Sequence, residues 1–218
     1  MKKLLAIIVC LGLMLSFVAC DNDEQKVAAP KDDTQTSQND SVESEIESAV
    51  EEVAKFARGK IVGNVYSSDY SGIKFTKPIS WDYSTDDDIL EIIGGVVGQD
   101  TLDEMLANGS GYDMVATDGL GNSVMVGYEN LAASNATSIS EQDYIDITKS
   151  QLLQMGYTSR GTSSTILAGN NYLKHEMALT ANGVTITQAY YVRKIGDYMS
   201  FIIVTATDKS IASIEAMF

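Results

Sequence analysis

His175 is the one histidine in the 218 residues, so any acid–base or nucleophilic chemistry near neutral pH would lean on its imidazole. It falls in a stretch, 171–180, that reads as a β-strand, on the same side as Leu173, Met177 and Leu179. The sharp interpretation is a general base, serving a hydrolase, or a metal ligand. The plain one is a packed, hydrogen-bonded histidine near a sheet border. The plain one is preferred, because one histidine with no cysteine after Cys20 cannot assemble a nitrogen or sulfur metal site. Neither Gly-x-Ser-x-Gly nor a phosphate-binding lysine loop occurs. The chain is therefore read as carrying no catalytic residues, no cofactor and no metal.

Oxygen-rich runs lead to the same conclusion. Asp86-Asp87-Asp88 lacks the spaced ligands and the glycine of a calcium loop, and carboxylates at a helix start account for it. Asp118-Gly-Leu-Gly-Asn122 could cradle an anion through its amides, but a hairpin turn explains it equally well. Tyr112, Tyr128, Tyr190, Tyr191 and Arg193 fall in neighbouring strands and form a possible contact surface, since Tyr and Arg are favoured at protein contacts. Core and rim packing is the competing use of the same residues.

The chain opens on Lys2-Lys3 and an apolar run from Leu4 to Ala19, the pattern of a secretory signal and too short for a comfortable membrane span of roughly 20 residues. The run ends in Phe17-Val18-Ala19-Cys20, which resembles the lipobox of bacterial lipoproteins, with phenylalanine where leucine is usual. That resemblance implies cleavage after residue 19 and acylation, such as palmitate, at Cys20; an ordinary signal peptide, or an uncleaved anchor, with Cys20 incidental is the competing reading. The expected product is lipid-anchored and faces outward at the cell membrane, held there by its acyl chains. Cys10 leaves with the signal, so the exported part has no disulfide. Loss of Lys2 and Lys3 takes the formal charge from −15 to −17. Such a chain repels phosphate backbones, and nucleic acid is not expected as a partner.

Residues 20–39 are acidic and poor in large apolar side chains, and read as a disordered tether. Over 40–58, Val42, Ile46, Ala49, Val50, Val53 and Phe56 recur at helical spacing, predicting an amphipathic helix. A folded domain is expected over 59–218. Strands are predicted over 60–67 and 70–77, with Ile73 and Phe75 inward, Pro78 as the stop and Trp81 over the sheet end. Helices follow over 86–93, closed by Gly94-Gly95, and over 101–107. A hairpin covers 112–117 and 123–131, and a helix capped by Ser140 and Asp143 runs to Met155. Four strands then form a meander over 162–168, 171–180, 184–194 and 198–207, before a last helix over 209–217. Both faces of 198–207 are apolar, so its sheet must be covered twice. The order argues for an α+β fold, an antiparallel β-sheet flanked by helices on both faces.

The pattern from Tyr66 to Trp81 (Tyr-x-x-x-Tyr-x-Gly-Ile-x-Phe-x-x-Pro-x-x-Trp), the acidic helix start behind it and the turn Arg193-Lys194-x-Gly-Asp-Tyr-Met199 are similar to small clostridial-type lipoproteins with a PsbP-like domain. The resemblance covers about residues 60–218. It implies a PsbP-like α/β/α sandwich and a non-catalytic module that works by protein contact or assembly, with an envelope protein as partner. It supplies no site residue. A small-ligand-binding lipoprotein is the alternative. Intact-mass measurement of membrane-extracted protein is expected to find a chain starting at Cys20 with acyl groups on it; a mature chain bare at Cys20 removes the anchor.

Overall fold

A computed structural model describes residues 56–98, 100, 105 and 109–218. The signal over 1–19, the tether over 20–39, the predicted helix up to residue 55 and most of the one expected over 101–107 lie outside the described residues. In chain order the described elements are β1 (Lys60–Val62), β2 (Val65–Ser68), β3 (Ile73–Thr76), β4 (Asp82–Tyr83), α1 (Asp86–Val97), β5 (Gly111–Thr117), β6 (Ser123–Asn130), α2 (Glu141–Gln154), β7 (Thr158–Leu167), β8 (Asn170–Ala181), β9 (Val184–Ile195), β10 (Tyr198–Ala206) and α3 (Ile211–Glu215). They form an α+β fold with two antiparallel sheets, one of order β1-β2-β3 and one of order β4-β5-β6-β10-β9-β8-β7.

The large sheet is apolar on both sides. Along β10, Met199, Phe201 and Ile203 enter one core while Ile202, Val204 and Ala206 enter the other, as the two-residue period of a strand requires. The first core is closed by Ile89 and Ile93 of α1 with Tyr144, Ile145 and Leu152 of α2. The second is closed by Tyr66, Ile73 and Phe75 of the small sheet, by Trp81, and by Ile211 and Ile214 of α3. The second cover is thus chiefly a sheet, where helices had been expected on both faces. Short strands with one apolar face bury it as well as a helix does.

Several boundaries differ from expectation, among them the start of β7 at Thr158 instead of 162, and three bear on the N-terminal half. The strand expected over 60–67 is two strands, because Gly63 takes φ +62 and turns the chain with Asn64 into the β1–β2 hairpin. The helix expected to stop at Gly94-Gly95 continues to Val97. Each glycine costs about 1 kcal/mol in a helix, and burial of Ile89 and Ile93 beside them offsets that. Finally, 56–58 are not helical. Phe56 instead packs into the domain, which therefore begins before residue 59.

α2 is held by its termini and one buried polar contact. Ser140 and Asp143 form the expected capping box, and the Tyr144 hydroxyl donates to Glu129 Oε2 on β6 at 3.0 Å. Glu129 is buried, and burial pushes its pKa from an ordinary 4.5 up to about 7, against the Tyr144 hydrogen bond. Between these values the unfolded chain releases the proton that the folded chain keeps, so stability falls as pH rises through that window, by about 3 kcal/mol in all. Glu129→Gln keeps the acceptor and removes the charge. Urea melts from pH 4.5 to 7.5 are expected to show this decline in the parent chain and a much flatter profile in the variant; equal slopes refute the assignment.

Candidate functional site

β5 is the strand on which the site is built. β4 pairs only with Ala116 and Thr117, which leaves the outer edge of 111–115 without a strand neighbour. Unpaired edges expose backbone groups that must be satisfied or covered. Here the chain entering the domain, Phe56-Ala57-Arg58-Gly59, supplies the cover. Gly59 N donates to Asp113 Oδ2 at 2.7 Å, and Arg58 Nη2 reaches Asp113 O at 3.4 Å.

Asp113 is aimed at this strap by a β-bulge. The register runs from Tyr112 opposite Gly127 to Met114 opposite Val126, so Asp113 is the extra residue. Its side chain, 2% exposed, accepts from Arg58 Nε at 2.9 Å and from the Tyr66 hydroxyl at 2.7 Å, besides Gly59 N. A buried carboxylate needs this many donors to repay its lost hydration. Tyr66 is fully buried, and burial with Asp113 beside it holds its phenol far above the usual range.

Arg58 also bridges to Asp86 at the start of α1, through Nη2 to Oδ1 at 2.9 Å and Nη1 to Oδ2 at 3.1 Å. This bidentate bond to Asp86 raises the guanidinium pKa and depresses the Asp86 carboxyl. Phe56 is clasped by tyrosines. It stacks on Tyr198 at 4.5 Å and meets Tyr70 and Tyr128 edge-on, each at 5.2 Å.

Between strap, α1 and β5 lies a cavity of about 210 Å³, open to solvent. Ile89, Leu90 and Ile93 of α1 line it with Met105, Tyr112, Phe56 and Tyr128. Arg58, Asp86 and Asp113 stand at its polar side, with Ser110 nearby. It offers an apolar socket with charge on one border. Among the described residues that line it there is no nucleophile–base pair.

The candidates taken from sequence fall in different places. Tyr112, Tyr128, Tyr190 and Tyr191 are at most 8% exposed, so they form no open contact patch; the correction follows from two covered faces, which bury both parities of β9. Tyr112 and Tyr128 do line the cavity. Arg193 donates to Ser71 O at 3.2 Å and lies over the Tyr172 ring, tying the meander to the small sheet. His175 is buried away from the cavity, with Nδ1 2.7 Å from Thr162 Oγ1 and Nε2 3.0 Å from Met177 Sδ, and burial lowers its pKa. The amides of Leu120 and Asn122 donate to the loop's own Asp118, which Lys209 also contacts at 2.8 Å. Thr85 and Asp88 cap α1 reciprocally and Arg58 holds Asp86, so both aspartates already have structural partners.

Arg58 and Asp113 carry no site reading in the sequence, and Phe56 enters there only on the apolar side of the helix predicted over 40–58. A carboxylate inside Gly-Tyr-Asp-Met-Val-Ala-Thr is the signal that was present, since it interrupts an otherwise apolar strand. No family model and no curated protein matches the chain. Asp113→Ala would strand the Tyr66 hydroxyl, Gly59 N and Arg58 together, and is expected to cost about 2–4 kcal/mol. Asp86→Ala, at an exposed bridge, should cost under about 1 kcal/mol. Urea denaturation of both decides it, and similar losses refute the ranking.

Proposed function

We propose that this is a lipoprotein, acylated at Cys20 and facing outward from the cell membrane, whose PsbP-like α/β/α domain is a non-catalytic contact module. Its socket is the cavity beside α1, which receives an apolar side chain of an envelope protein. The size of that cavity carries the reading: at about 210 Å³ it lies below the roughly 300–1,000 Å³ typical of small-molecule sites. It is on the scale of one large side chain, and binding energy at protein contacts concentrates where such a chain fills a desolvated socket. The tyrosines first considered for an exposed patch contribute as walls. From Cys20 to Phe56 is 36 residues, which bounds the distance from anchor to domain at about 130 Å.

A small-ligand binder is the second reading, favoured by the convergence of Arg58, Asp86 and Ser110 on one side of an apolar socket. A hydrolase using His175 has the least support, because that imidazole is buried among Thr162, Met177 and Ser159 and lies outside the cavity, its one hydroxyl contact on Nε2, to Ser159, being long at 3.4 Å.

A photo-crosslinking amino acid in place of Ala57, exposed on the strap between the lining residues Phe56 and Arg58, in cells, separates these. One defined envelope protein is expected to be captured from position 57 and not from exposed Val184 on β9. Capture of no protein from position 57, or of the same set from both, overturns the protein-contact reading in favour of the small ligand.

A further inference from the structure

We propose that the segment seated in the cavity is basic: a bulky apolar residue flanked by lysine or arginine. This rests on the cavity being a contact site and adds the chemistry of what it contacts. Among the described residues lining the cavity, Arg58 is the one cation, against two carboxylates, Asp86 and Asp113. All three of its nitrogens are already engaged by those aspartates. Four of its five N–H groups are taken by them, so an incoming carboxylate or phosphate finds a single N–H on a guanidinium whose charge the two aspartates already offset.

A cation meets no such obstacle. Asp86 is 66% exposed at its side chain, and each carboxylate oxygen can accept more than the single bond Arg58 gives it. Asp87 and Asp88 follow in the same helical turn. The whole chain, at −15, draws a basic segment in and repels an acidic one.

The strap itself displays the chemistry. Phe56-Ala57-Arg58 places an aromatic ring among Tyr70, Tyr128 and Tyr198 and a guanidinium between two aspartates, on the wall of the same cavity. A partner with an apolar residue beside a basic one would extend that arrangement into the open space next to it.

The test uses the full chain in phosphatidylcholine nanodiscs, with methionine methyls labelled by carbon-13 so that Met105 reports from inside the cavity. Acetyl-Lys-Phe-Lys-amide and acetyl-Glu-Phe-Glu-amide are titrated separately. The basic peptide is expected to bind about tenfold or more tightly, with the gap closing several-fold as salt rises from roughly 20 to 500 mM. Asp86→Asn should narrow the gap, and Leu90→Trp, which fills the socket, should abolish the Met105 response. Equal affinities, or preference for the acidic peptide, overturn the charge inference and leave the contact site standing. No response to either peptide, or a response surviving Leu90→Trp, overturns both.

Discussion

A sheet that is apolar on both faces is the constraint from which the rest follows. β10 and its neighbours β6 and β9 have no solvent side, so two separate covers are required, and the chain supplies them from different segments. Helices α1 and α2 close one face; the β1–β3 sheet, Trp81 and α3 close the other. These covers come from opposite ends of the chain in part, so folding the second core joins the N-terminal hairpins to the last helix. Thr76 N donates to Met217 O at 2.8 Å, and the ring of Phe75 packs 5.0 Å from that of Phe218. With no disulfide among the described residues, these contacts hold the two ends together by packing and hydrogen bonding alone.

Where the two covers meet beyond the edge of β5, neither fills the space fully. The strap from Phe56 to Gly59 spans that seam and leaves the cavity beside it. Asp113 makes this possible. Its bulge takes one residue out of the ladder and turns a carboxylate toward the incoming chain, where Gly59, Arg58 and Tyr66 meet it. A Cβ at Gly59 would lie 2.4 Å from the Tyr66 ring, so the strap can approach this closely only with glycine there. The apolar socket and its charged border are thus products of one local irregularity in an otherwise regular sheet.

Elsewhere the polar groups that look available in sequence are spent inside the fold. Asp118 collects its own loop amides and Lys209, and Asn122 is buried beneath them, donating to Asp118 and Asp208 and accepting from Thr207 N. This knot fastens the β5–β6 turn to the chain leaving β10. His175 and Arg193 are used the same way. A buried polar group without a partner is costly, so a chain of ordinary stability assigns its interior polar atoms to structure first. The cavity border differs in that Asp86 and Arg58 are partly exposed and still face open space.

The amino-acid sequence alone determined the strand meander, because two-residue periodicity and Asn-Gly or Gly-Asn turns are local properties of the chain. It likewise determined the capped helix after Ser140, the inward direction of Ile73 and Phe75, and the double burial of β10. Locally it misjudged the β1–β2 turn and the reach of α1, where a short hairpin and the burial of Ile89 and Ile93 outweighed the pattern. Tertiary structure decided that the second face is covered mainly by strands, that four candidate tyrosines are interior, and that Phe56, Arg58, Asp86 and Asp113 converge. Those outcomes depend on which segments become neighbours across 28 to 55 residues of chain, and no window of sequence carries that information: a bulge that re-aims one aspartate acquires its meaning only from what the fold brings opposite it.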